Sequence, residues 1–357
     1  MTQDVLDDAA ARSRIDPAGM LTSITALPQQ CRDAWAAGLA LELPADYRQI
    51  DRIAVLGMGG SAIAGDFWRV LLQRESPVPV FNVRQYDLPP FVDERTLVIA
   101  SSYSGNTEEV LSAFDQALRM PAKKLAMTSG GKLLTIARAN GIPAFAYQFK
   151  GEPRAAVGWG LMPLLAVSEK LGLMRDVQRD VDEMLEVMQA LKGEIGVDVP
   201  SARNEAKQVA RRLHEKLPVV YGAGPLTEVA HRWKTQINES SKSWCFYEEL
   251  PELHHNAIVG YELAKGIARD TFVVFLRSED LVHRRVLLRY GFTERLLKGS
   301  GVESLTVAAR GRSALAQMMS LVIFGDYVSG YLGLLYGVDP NPTDVIAGLR
   351  AFLATQK

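Results

Sequence analysis

The chain has 357 residues, 48% of them hydrophobic and 23% charged, and a formal net charge of -1. That length favours two domains over one, and the composition provides ample apolar material for a core. The near-zero charge gives no electrostatic footprint for nucleic acid or an anionic membrane, so neither is expected as a partner. The amino-terminal MTQDVLDDAAARSR is polar and acidic, unlike a signal peptide. No continuous apolar run approaches the roughly 20 residues of a membrane helix; the richest, Leu161 to Val167, is short and contains Pro163. Cys31 and Cys245 cannot form a disulfide framework, which suits a cytoplasmic location.

In chain order, residues 17–43 read as helical with a turn near Pro28, followed by the connection LELPADYRQID. Strands and helices then alternate. IAVLG (53–57) is a strand running into glycines, and AIAGDFWRVLLQR (62–74) has apolar residues at helical spacing. VPVFNV (78–83) and TLVIAS (96–101) are strands, and a helix runs from Thr107 to Arg119. KKLAMTS (123–129) is a strand, and KLLTIARAN (132–140) is a helix closed by Gly141. Such alternation predicts a parallel sheet covered by helices on both faces. Residues 160–195 read as purely helical, with an apolar stripe at Val177, Val181, Met184, Met188 and Leu191.

The second half repeats the plan. LPVVYGAG (217–224) matches RIAVLGMG (52–59), TFVVFL (271–276) matches TLVIAS, and VESLTVAA (302–309) matches KKLAMTS. A long apolar helix, GRSALAQMMSLVIFGDYVSGYLG, follows the last of these. The copies predict two doubly wound parallel-sheet units of α/β class; the plainer alternative is that any α/β chain carries such echoes. The expected segments are a helical 1–45, a first unit with its linker helix over 46–195, a second unit over 196–330, and a carboxyl-terminal segment over 331–357.

In open α/β sheets ligands sit beyond the carboxyl ends of the strands. The first unit offers GMGGSA (57–62), SSYSGNT (101–107) and TSGGK (128–132) there. Glycine lets the backbone approach an anion, a helix start points N–H groups at it, and hydroxyls add donors without charge. Gly57 to Ala62 also fits a dinucleotide pattern, G-x-G-x-x-A, but no acidic residue ends the next strand; an NADP reading through Arg84 remains and leaves SSYSGNT unexplained. No P-loop signature is present. The bland alternative is a capped helix, yet one cap needs one hydroxyl, and here Ser102, Ser104 and Thr107 cluster beside Gly105. A phosphate monoester cradle is the better reading. The second unit lacks these residues, with FLRSEDLV and AARGRSA in their places.

GMGGSAIAGD together with SYSGNTEE resembles the sugar isomerase (SIS) fold, and in particular the bifunctional phosphoglucose/phosphomannose isomerases of that group. DPAGML (16–21), TSGGKL (128–133), EPRAAVGW (152–159), NES (238–240), HHNAIVGYE (254–262) and YGVDPNPTDVI (336–346) resemble that family's blocks in the same order, over essentially the whole chain. The resemblance implies two tandem SIS-type, flavodoxin-like units and a metal-independent aldose–ketose isomerase acting on phosphorylated hexoses; a non-catalytic sugar-phosphate sensor is the alternative. It implies that Gly59, Gly60, Ser61, Ser102, Ser104 and Thr107 bind the phosphate, that Arg154 stands beside the reacting carbons, that Glu239 is the base, that His255 opens the sugar ring, and that Thr343 serves the mannose epimer. Arg350 departs from the pattern, standing where the family tends to have a lysine; it keeps the charge but not the compact ammonium.

The chemistry fits these residue types. Moving one proton between adjacent carbons through an enediol needs one base, a donor that shuttles the oxygen proton, and a cation near the enediolate. Read from residues alone, Glu239 could equally be a surface glutamate at a helix end, His254 and His255 ordinary loop histidines, and Arg154 a salt-bridged surface group held by Glu152. No His/Cys cluster has metal spacing, so no metal or other cofactor is expected. Glu239 and His255 must meet the cradle of the first unit; one of them arriving from another subunit makes a homodimer the expected assembly.

Overall fold

The computed structural model describes residues 4–356, the side chains of 263–265 excepted. Residues 1–3 and 357, the outer ends of the expected terminal segments, lie outside the described residues. By its contacts the chain divides into two compact units. One comprises Ala26–Gln189 with Arg310–Ser320; the other comprises the chain up to Thr25, Ala190–Ala309 and the chain from Leu321 onward.

The acidic amino-terminal stretch contains a short helix, α1 (Ala9–Ile15), because the Asp8 carboxylate accepts the N–H groups of Ala10 and Ala11. The expected helix over 17–43 divides into α2 (Met20–Thr25) and α3 (Leu27–Leu39). The break falls at Ala26, not at Pro28: proline sits in the first turn of α3, where its missing N–H is no loss.

The unit that begins at Ala26 holds β1 (Arg52–Leu56), α4 (Gly59–Leu72), β2 (Val80–Val83), β3 (Thr96–Ser101), α5 (Glu108–Leu118), β4 (Lys123–Thr128), α6 (Gly131–Ala139), β5 (Ala144–Ala146), α7 (Val157–Leu171) and the greater part of α8 (Val177–Ile195). The strands are all parallel, in the order β2-β1-β3-β4-β5. Every residue of β3 is buried, as a central strand covered on both faces requires. Side chains alternate between faces. Leu56, Val98 and Ala100 pack with Val110, Ala113 and Phe114 of α5. Gly65 of α4 lies against Val55, so α4 covers the opposite face. Trp68 Nε1 donates to Ser168 Oγ at 2.6 Å and ties α4 to α7. Strand β5 has three residues, too few for a sequence period to reveal it.

The other unit holds α9 (Glu205–Leu213), β6 (Leu217–Ala223), α10 (Leu226–Ser240), β7 (Phe246–Leu250), β8 (Thr271–Arg277), α11 (Arg284–Gly299), β9 (Glu303–Ala308), most of α12 (Ala314–Leu335) and α13 (Asp344–Ala354). Its parallel sheet runs β7-β6-β8-β9, the order of the first sheet without a counterpart of β5. The edge strand β7 escapes sequence reading because FYEEL is half polar and Phe246 and Tyr247 are exposed. Helix α12 is long and apolar enough to span a membrane, contrary to the expectation that nothing in the chain is; 94% of its apolar window is buried, as in a core helix. Beneath α10, the Arg232 guanidinium makes paired bonds of 3.0 and 2.7 Å to Asp326, and Gln236 Nε2 adds a third at 3.1 Å. Arg232 and Asp326 are both buried. Breaking a buried pair leaves an uncompensated charge, so Asp326→Ala is expected to cost about 3–5 kcal/mol, read as a lowered urea midpoint for this unit.

Candidate active site

The order β2-β1-β3 places a topological switch point between β1 and β3, whose following helices leave to opposite faces. Leu56 pairs with Ala100, so the two strands end side by side. The loops Gly57–Ser61 and Ser102–Thr107 therefore meet, and Tyr103 N–H donates to Ser61 Oγ at 3.2 Å. The helices that start there are uncapped: Met58 before α4, Thr107 before α5 and Gly130 before α6 make no side-chain cap bond. At α6 the loop before α5 takes up that role, since Lys132 N–H donates to Asn106 Oδ1 at 3.1 Å; at α4 and α5 no side chain caps the N–H groups of the first turn, which leaves them for another acceptor.

Thr107 occupies the N-cap position, one residue before the helix proper, yet its hydroxyl does not cap. It pairs instead with Ser102 Oγ at 2.8 Å. Gly105 N–H donates to Ser102 Oγ at 3.1 Å, and Asn106 N–H donates to Ser104 Oγ at 3.2 Å. Backbone amides thus occupy lone pairs of Ser61, Ser102 and Ser104; one proton of the Ser102–Thr107 pair is spent on their mutual bond, and the other hydroxyl protons are left to give to an anion. Ser102 is buried and Ser104 exposed, so the two do not turn inward alike.

The third loop locks the second. Leu133 N–H donates to Gly105 O at 2.9 Å, and Ser129 donates through its N–H (3.0 Å) and its hydroxyl (2.7 Å) to Tyr103 O. Gly105 has φ +67°, and a Cβ there would stand 1.9 Å from Gly130 O; one on Gly131 would stand 2.3 Å from Ser104 O. On the other side, a Cβ on Gly60 would meet the backbone of Pro153 and Arg154 at 3.0–3.1 Å. That contact brings Arg154, which is 3% exposed, against the start of α4. Arg154 Nη1 lies 3.4 Å from Glu152 Oε2, the partner the sequence suggested. This unit therefore gathers Gly59, Gly60, Ser61, Ser102, Ser104, Thr107 and Arg154 around one switch point. Arg84, on which the dinucleotide alternative relied, pairs with the buried Asp66.

The remaining candidates lie in the other unit. Glu239 is half-buried in the last turn of α10. Ser241 Oγ donates to Ser329 O at 2.8 Å and fixes that end of the helix. His255 stands in a 3-10 turn, Glu252–His255. The turn separates the two histidines: His254 Nε2 bonds Thr293 Oγ1 at 2.7 Å, while the His255 ring is exposed with no hydrogen bond among the described residues. Burial, aided by Arg289, holds His254 below the ordinary imidazole value. Glu239 and His255 belong to elements that cover opposite faces of this unit's sheet. Gly222 of β6 faces α10, and Tyr247 of β7 stacks on His231 of that helix. The neighbouring Tyr221 faces the other way, meeting Tyr261 and Phe275 on the side of α11 and the histidine turn. Thr343 is the N-cap residue of α13 without capping it, and Arg350 lies exposed on the same helix. Seven residues separate the two, about 10 Å along one helix face.

Residues 202–353 match the family described as "Bacterial phospho-glucose isomerase C-terminal SIS domain". The bifunctional phosphoglucose/phosphomannose isomerase of Caldicellulosiruptor bescii is 42% identical to this chain, covering 95% of it and 100% of that protein. The chain belongs to the bifunctional phosphoglucose/phosphomannose isomerase family. The family's Aquifex aeolicus relative is 36% identical over 87% of this chain and 92% of its own length. A solved structure of a hypothetical protein from Thermus thermophilus superposes with a TM-score of 0.73 at 16% identity, covering 97% of this chain and 94% of that one. It supports the SIS-type α/β fold with two parallel sheets. Sequence reading missed Tyr103 and Ser129, whose backbone and hydroxyl lace the family's loops together; only the hydroxyl-rich composition pointed to that stretch.

The interlocked glycines lead to a stability comparison. Gly105→Ala adds a clash to left-handed strain and is expected to cost about 2–5 kcal/mol. Gly141→Ala, at φ +63° with open space around it, carries strain alone, about 1–2 kcal/mol. Chemical denaturation of the two variants reads the difference.

Proposed function

We propose that this protein interconverts glucose 6-phosphate and mannose 6-phosphate with fructose 6-phosphate, through an enediol and without a metal ion. The observation that carries the reading is the convergence of α4 and α5, neither capped by a side chain, on a cluster of hydroxyls. The names of the relatives support the choice of a hexose phosphate as its ligand.

In this reading Gly59 and Gly60 give N–H bonds, and Ser61, Ser102, Ser104 and Thr107 give hydroxyl bonds, to the phosphate. Each charge-assisted bond contributes on the order of 1.5–3 kcal/mol, which goes into orienting the sugar rather than into chemistry at the phosphate. His255 protonates the ring oxygen and takes the proton of the C1 hydroxyl, opening the ring. Glu239 removes the proton from one of the adjacent carbons and returns it to the other. Arg154 offsets charge on the enediolate. Thr343 serves the mannose epimer, and Arg350 contributes positive charge near the substrate. The placement of Glu239 and His255 on opposite faces of one sheet supports a homodimer in which His255 acts on the substrate of the partner copy.

Incubation with fructose 6-phosphate in deuterium oxide containing EDTA is expected to yield glucose and mannose 6-phosphates carrying deuterium at C2. Glu239→Gln should lower turnover about 10²- to 10⁴-fold while sugar-phosphate binding persists. Loss of turnover in EDTA, or no effect of Glu239→Gln, would exclude the mechanism. Binding without any turnover in the parent would leave a sugar-phosphate sensor instead.

A further inference from the structure

Just past α10 the chain does something uncommon. Ser241 is the C-cap, and the next residue, Lys242, has φ +53°. That left-handed position after a helix ordinarily goes to glycine, because a Cβ there costs energy. Such strain in a non-glycine residue persists where the surroundings over-determine it, and it points to a use for the side chain. Here the use is visible. The Lys242 ammonium donates to Glu239 O at 2.5 Å and to Pro342 O at 2.7 Å.

These two carbonyls belong to the two groups that matter for the carbon chemistry. One is the backbone of Glu239 itself. The other is half of the peptide bond that ends in the Thr343 nitrogen, so the ammonium sets the orientation of that peptide. Both sides are anchored elsewhere. Ser241 holds the end of α10 to Ser329, and Asn341 Nδ2 donates to the buried Asp16 at 2.7 Å. The Thr343 hydroxyl neither caps α13 nor has a hydrogen-bond partner among the described residues, so it is available to a ligand.

We infer that Lys242 is a positioning residue that fixes Thr343 relative to Glu239 and thereby sets the enzyme's balance between the two C2 epimers. The inference rests on the isomerase reading above and deepens it. Epimers present the C2 proton and hydroxyl from opposite sides, so a single base serves both only if a neighbouring hydroxyl donor keeps a fixed offset from it. A tether between the two backbones controls that offset without touching the sugar.

The experiment compares kcat/KM for mannose 6-phosphate and glucose 6-phosphate in the parent, Lys242→Met, Lys242→Gly, Thr343→Val and the Lys242→Met/Thr343→Val double variant. Lys242→Met is expected to shift the mannose-to-glucose ratio by about tenfold, the size of one hydrogen bond. Lys242→Gly relieves the left-handed strain, so it should fold at least as stably as the parent and still show the shift. The double variant should shift the ratio no further than Thr343→Val alone, since the lysine acts through the threonine. An unchanged ratio in Lys242→Met and Lys242→Gly, or additive effects in the double variant, overturns the tether while leaving the isomerase reading intact. A parent inactive on both sugars overturns both.

Discussion

A parallel sheet that sends one helix to each face must have a place where two strand ends lie side by side and the amides beyond them find no acceptor. Between β1 and β3 no carboxylate caps the helices that open there. Gly59 and Gly60 open α4, and Thr107 opens α5 with its hydroxyl turned toward Ser102. The demand of those amides for negative charge is the constraint from which the rest follows. The Ser61, Ser102 and Ser104 hydroxyls accept from backbone N–H groups, and on the proposed reading the protons not spent between Ser102 and Thr107 convert a deficit of acceptors into a site for a phosphate.

The second unit repeats the strand order and abandons the device. Its sheet carries groups suited to proton transfer instead: Glu239 on the α10 side and His255 on the α11 side. On the proposed reading, a divided fold of this kind separates affinity from chemistry. On the proposed reading, the separation of base and ring-opening histidine within one copy is also what makes the assembly obligatory for function.

Much of this was legible in the amino acids. TLVIAS is a strand from Thr96 to Ser101 as read, because a β-branched, wholly apolar run bounded by hydroxyls has few other solutions. The three glycine- and hydroxyl-rich loops were recognisable from composition alone. What could not be read were contacts that depend on distant partners. The polar FYEEL becomes β7 only because β6 offers it an edge. Helix α1 depends on one carboxylate, Asp8, hidden in an acidic run. Pro28 looked like a break and is a helix start, since the rule that proline ends helices inverts in the first turn. The different commitments of His254 and His255 turn on Thr293, 39 residues along the chain from the first of them.

The two glycines that pack backbone against backbone, Gly105 on Gly130 and Gly131 on Ser104, leave no room for any substituent. A pocket built this way arrives already shaped, with little entropy left to lose when its ligand docks. It is also closed to tinkering, because no mutation at those positions can add a contact or remove one gradually. On the proposed reading, descendants of this chain that take new sugars would have to change the end that handles carbon, and would inherit the grip on the ester unaltered.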